Sequence, residues 1–113
     1  MFKQGAIVLI PFPFTDLTAV KVRPAIVLSK KVLDNDIIVC FISSKKPRRL
    51  APADIFIKKT ERDFEKTGLK VDSVVRVGKI ATLDKKIVLG ELGEVNTTTR
   101  KNINNKLKFV LGI

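Results

Sequence analysis

Apolar residues in this chain fall in short runs, cut by proline-rich and charged segments. Residues 5–12 are almost continuously apolar and end at prolines, which predicts a buried strand. Residues 13–22 predict a loop longer than a tight hairpin connection, and loops of that length more often carry function. Residues 23–29 predict a second strand with Arg23 at its lip. Pro24 biases the residue before it toward extended backbone. Lacking an N–H, Pro24 itself belongs at a strand start or an edge. Asp34, Asn35 and Asp36 predict a turn into a third strand, residues 37–43. Residues 45–49 form a basic loop. Residues 54–58 alternate apolar and polar positions, as a half-exposed strand does. Residues 61–67 predict one or two helical turns with Gly68 just past the end. Residues 72–81 predict another strand, residues 84–86 a turn, and residues 87–89 a last short strand. The period then changes. Asn96 is a good N-cap, and Ile103, Leu107, Val110 and Leu111 make one apolar stripe at helical spacing. Several short strands closed by one amphipathic helix predict a mainly β chain: a small, strongly bent, SH3-like barrel with a C-terminal helix.

Composition narrows the class of partner. The 113 residues fit one domain, spanning 1–113, and 45% hydrophobic content is enough for a packed core. Lys and Arg number 22 against 11 Asp and Glu, a net charge of +11. Charge of that size in so short a chain opposes compaction, and it attracts a polyanion, most simply nucleic acid. A membrane is disfavoured, since no apolar run reaches 18 residues and no long basic amphipathic helix is legible. The start of the chain lacks a signal-peptide layout, so a cytoplasmic location is expected. The lone Cys40 lies in an apolar run and reads as packing. With no histidine and one cysteine, no zinc site is expected. The residues 34–36 lack the glycine and glutamate of a calcium loop. No metal or cofactor is therefore expected.

Three segments, in order, resemble the MazF/PemK-like toxin endoribonucleases. The first is the apolar strand running into the Pro-Phe loop, followed by Arg23-Pro24 at the second strand. The second is Cys40-Phe41-Ile42-Ser43-Ser44-Lys45, similar to the family's third-strand end, where a Thr or Ser hydroxyl follows an apolar run. The third is the stretch 72–85, which contains Val74-Val75-Arg76-Val77-Gly78-Lys79 and looks like a later strand and turn. The resemblance implies a barrel of MazF/CcdB type and metal-independent cleavage of single-stranded RNA. It also implies a homodimer neutralised by an antitoxin. By the same resemblance Arg23 matches the catalytic arginine and Ser43 the catalytic hydroxyl. Two positions depart from the pattern. Ala6 stands where many relatives have an aspartate, and Gly78 where they often have an acidic residue.

The chemistry has its own logic. Self-cleavage of RNA through the 2′-hydroxyl needs a proton acceptor, a group that stabilises charge on the phosphorane, and a donor to the departing 5′-oxygen. A guanidinium supplies a planar fork of donors that fits phosphate. A hydroxyl both donates to a phosphate oxygen and orients it. The candidate RNA contacts are Asp16 and Lys21 before Arg23, Ser44 beside Ser43, then Lys45, Lys46 and Arg48, and finally Lys79. Arg76 and Lys79 are of opposite parity, so an unbroken strand points them to opposite faces. Asp16 is the remaining carboxylate near the expected site, and the general base is otherwise unassigned. Two other readings stay open. One is a non-catalytic nucleic-acid-binding barrel. It is disfavoured because the aromatics are seven Phe with no Tyr or Trp, and only Phe12 and Phe14 lie where bases could stack. The other is a topoisomerase-targeting toxin of similar fold, for which Arg23 and Ser43 would be dispensable.

Overall fold

The computed structural model describes residues 2–13, 20–30, 34–45 and 49–113, with the side chains of residues 12, 13 and 20 left aside. Six strands form one antiparallel sheet: β1 (Ala6–Pro13), β2 (Val20–Val27), β3 (Asp36–Ser43), β4 (Asp54–Ile57), β5 (Ser73–Asp84) and β6 (Gly90–Glu94). Their order across the sheet is β4-β5-β3-β2-β1-β6. A short helix α1 (Phe64–Thr67) precedes β5, and α2 (Thr97–Leu111) closes the chain. The sheet is curled into a half-barrel, so both its faces are buried. Along each central strand alternate residues supply two separate cores. Ile7, Ile26, Cys40, Ile42, Val75 and Val77 pack with Phe64 of α1 and Ile103 of α2. Ala6, Val8, Ile10, Ala25, Val27, Ile37 and Val39 form the second core, against Phe41, Ala81, Leu83 and Val88.

A bulge in β5 makes the second core possible. Phe41 of β3 lies opposite Arg76, yet its neighbour Cys40 lies opposite Ile80. Val77, Gly78 and Lys79 are therefore extra residues on β5. An insertion of odd length inverts the alternation. Val75 and Val77 face the first core, whereas Ala81 and Leu83, of the same parity, face the second.

Several boundaries differ from the sequence expectation. Pro13 pairs with Val20, so the strands of the first hairpin continue into what reads as loop. Arg23 is consequently inside β2, not at its start. Pro24 still occupies an edge in one sense, because the ladder between β2 and β3 begins at Ala25 and never reaches it. The strand expected at 87–89 is absent: Lys85–Ile87 is a single 3-10 turn and the last strand is Gly90–Glu94. The sequence Gly-Glu-Leu-Gly-Glu has poor strand propensity. Tertiary contact overrides it. A Cβ on Gly93 would fall on the backbone of Lys66 and Thr67, and one on Gly68 would fall on the Leu92 carbonyl. The end of α1 and β6 thus meet backbone to backbone.

The helix signals hold. The Asn96 side chain accepts from Thr99 N at 2.7 Å, and Gly68 and Gly112 adopt left-handed φ of 73° and 70° at the helix ends. The stripe on α2 is only half used. Ile103 is buried and Leu107 packs against the first core, but Val110 and Leu111 are exposed, with Phe109 and Ile113 beside them. No helix among the described residues is long and apolar enough to cross a membrane.

Candidate active site

Strand register gathers the candidate residues on one face. Arg23 shares its parity on β2 with Ala25 and Val27, and Ser43 shares its parity on β3 with Val39 and Phe41. All of these lie on the side of the second core. Ala25 is opposite Phe41, and the same register carried two residues on sets Arg23 across from Ser43. The β2–β3 ladder has already ended there, at the proline. Phe41 is in turn opposite Arg76, and Arg76 is opposite Asp54. Four neighbouring strands thus contribute to one row.

The space they enclose is a cavity of about 180 Å³ lined by Arg23, Phe41, Ile42, Ser43, Arg76 and Lys79. Lys79 joins Arg76 there because of the β5 bulge, which overrides the parity argument. Ser43 is fixed by its own turn: Oγ accepts from Lys45 N at 3.1 Å and lies 3.4 Å from Lys45 O. The shorter bond holds the oxygen, and rotation about Cβ–Oγ can direct the hydroxyl proton to a ligand. Arg76 Nε donates to Asp54 Oδ1 at 2.9 Å. Arg23 also forms part of a larger adjoining groove of about 490 Å³. Its lining joins the apolar Leu9, Val22, Leu69 and Leu92 with Lys21, Lys45, Lys70 and Ser44.

Of the residues singled out in the sequence, Arg23, Ser43 and Lys79 share the cavity, and Lys21, Ser44 and Lys45 share the groove with Arg23. Asp16, Lys46, Arg48 and Phe14 lie outside the described residues, as does the side chain of Phe12. Asp54 is the addition. Arg76, a candidate that strand parity sets apart from Lys79 as long as β5 is unbroken, shares the cavity with it. Asp54 carries one weak sequence signal, an isolated carboxylate opening a strand in a strongly basic chain. Cys40 stands apart from this chemistry: it is fully buried, and burial pushes its thiol up to about 12. It packs as a neutral side chain.

A curled six-stranded antiparallel sheet with one terminal helix is a fold shared with several solved structures. One is an endoribonuclease from a mycobacterial species in complex with its cognate antitoxin (TM-score 0.76, 20% identity, 100% of this chain and 97% of that one). A second is the MazE-MazF complex from Deinococcus radiodurans (TM-score 0.78, 20% identity, 99% and 96%). A third is MazF from the same organism (TM-score 0.75, 21% identity, 99% and 97%). No curated protein sequence matches the chain significantly. Residues 3–111 match the family described as the PemK-like, MazF-like toxins of type II toxin-antitoxin systems, and the chain belongs to that family.

Proposed function

We propose that this toxin is a metal-independent endoribonuclease that cuts single-stranded RNA, mRNA in the cell, by attack of the substrate's own 2′-hydroxyl. The observation that carries the reading is the convergence of Arg23, Ser43, Arg76 and Lys79 from three strands on one small cavity. A scissile phosphate there meets two guanidiniums and an ammonium, which stabilise the charge that develops on the phosphorane. The Ser43 hydroxyl, its oxygen held by Lys45 N, orients a non-bridging oxygen. In this reading Arg23 also assists departure of the 5′-oxygen. The substrate supplies its own nucleophile, so positioning and charge are the protein's main tasks. Metal independence rests on the absence of histidine and the buried, neutral Cys40.

The partners follow from the surface. A net charge of +11 and the groove's lysines fit RNA, and the apolar residues in its lining fit an acidic antitoxin segment with apolar anchors. We place the toxin in the cytoplasm, as a homodimer. Phe109, Leu111 and Ile113, exposed at the end of α2, offer apolar surface for a second copy to cover. A mass in sedimentation that stays monomeric at every concentration refutes the dimer.

The deciding experiment incubates the purified protein with a long RNA in EDTA and maps the ends. Products should carry a 2′,3′-cyclic phosphate and a 5′-hydroxyl, and a deoxyribose at the scissile position should block the cut. Arg23→Ala should lower the rate on the order of 10²–10³-fold, and Arg23→Lys should also be poor because a point charge does not reproduce the fork. Cleavage that stops in EDTA, or 5′-phosphate ends, makes water the attacking group and overturns the mechanism. Full activity in Arg23→Ala removes Arg23 from it.

A further inference from the structure

We propose that Asp54 is a positioning residue for the reaction, acting through Arg76. The inference rests on reading the Arg23–Ser43 cavity as the site of RNA cleavage. Asp54 opens β4, the edge strand beside β5, and its side chain is only 3% exposed. A carboxylate that deep in a basic protein needs donors on both oxygens. Oδ2 accepts from Ala51 N at 2.8 Å, which closes the turn entering β4. Oδ1 accepts from Arg76 Nε at 2.9 Å.

The choice of nitrogen matters. A fork-to-fork pair through the outer nitrogens would occupy the face a phosphate needs. Bonding through Nε leaves both Nη groups outside the pair, on a side chain that is 34% exposed and lines the cavity with Arg23 and Ser43. Arginine has four rotatable bonds, and ordering them at the moment of substrate binding costs entropy. Asp54 meets that requirement in advance, since the turn at Ala51 fixes the carboxylate before RNA arrives. Cross-strand register does the rest, setting Asp54 directly opposite Arg76. The bulge begins at the next residue of β5, so Arg76 is the last regularly paired position before the ladder opens.

The test is a double-mutant cycle on RNA cleavage with Asp54→Asn, Arg76→Ala and the pair. Asparagine is isosteric. Its amide oxygen still serves Ala51 N, while its NH2 then faces Nε as donor against donor and releases Arg76. Asp54→Asn should lower kcat about ten- to a hundredfold with little change in KM. In the Arg76→Ala background the same substitution should change kcat no further. An unchanged kcat in Asp54→Asn, or losses that simply multiply, overturns the proposal, because a purely structural aspartate would act regardless of Arg76. Should Asp54→Asn fail to fold, the intact protein with 15N-labelled arginine decides. The Arg76 Nε–H signal should be sharp in free protein and shift on titration with an oligonucleotide carrying deoxyribose at the scissile position. A broad signal, or one indifferent to the oligonucleotide, overturns it. A wild-type protein that does not cleave RNA at all fails earlier and refutes the functional reading itself, and this inference with it.

Discussion

Replacing Gly93 by alanine tests how the barrel is closed. The new methyl would point at the Lys66 carbonyl and the Thr67 backbone, neither of which can rotate away as a side chain could. Either α1 shifts or β6 leaves its register opposite Ile7 of β1. Overpacking of this kind costs about 1–3 kcal/mol, and a clash between backbones belongs at the upper end. Unfolding entropy of about 2.1 cal/mol/K per residue gives roughly 0.24 kcal/mol/K for this chain, so Tm should fall by about 4–13 °C. Gly78→Ala is the control. No atom lies within 4 Å of a Cβ built there, and its φ is ordinary, so its Tm should move by less than about 2 °C. Circular-dichroism melts of the two variants beside the parent decide the matter. If Gly93→Ala melts together with Gly78→Ala, the contact between α1 and β6 does not lock the fold, and the account of why β6 carries a glycine at position 93 fails.

Other outcomes can be read with simple assays. Ser43→Thr should retain cleavage, since threonine makes the same turn to Lys45, whereas Ser43→Ala should reduce it several-fold; greater damage from Ser44→Ala would reassign the hydroxyl. Replacing Lys45, Lys46, Arg48 and Arg49 together by glutamine should flatten the slope of log affinity for RNA against log salt, by up to about 3 if each meets a phosphate; an unchanged slope puts that segment away from the RNA. For Cys40, the unfolded chain ionises from near the ordinary value of 9.0 while the native thiol keeps its proton to about 12. The native state therefore binds more protons in that window, and the contribution of this group is complete below pH 9 and lost as pH rises, by about 1 kcal/mol at pH 10. Urea titrations at pH 8 and 10 should show a smaller loss in Cys40→Ala, and equal losses in both proteins would contradict the burial argument.

What the sequence discloses divides along the reach of its signals. Local chemistry was readable: Asn96 opens α2, Gly68 ends α1, and the apolar runs mark β1 and β3 within a residue or two. Arg23 and Ser43 were readable as a pair only through the family resemblance, and the register of β2 on β3 supplies the reason they face each other. The misses are nonlocal. β6 looks like a loop in part because Gly93 answers to α1, far away in sequence. Val110 and Leu111 fit the apolar period, yet only the earlier part of α2 lies over the core. Arg76 and Lys79 were separated by a strand period that the β5 bulge breaks, and Asp54 acquires meaning only once β4 is known to pair with β5.

That bulge also changes what variation the site can absorb. Val77 is tied into the first core, but Gly78 and Lys79 are exposed and have no partner on β3. Substitutions at these two positions break no ladder bond to β3, and a Cβ on Gly78 meets no atom within 4 Å. Gly78 is thus free to vary beside the cavity, and Lys79 can be exchanged without unfolding the barrel though not without touching the site, while the strands that carry Arg23 and Ser43 are held by both cores. New side chains can be tried against new RNA sequences there at little risk to folding, and Gly78, with open space where a Cβ would go, is the position where a carboxylate can be introduced without rebuilding the barrel.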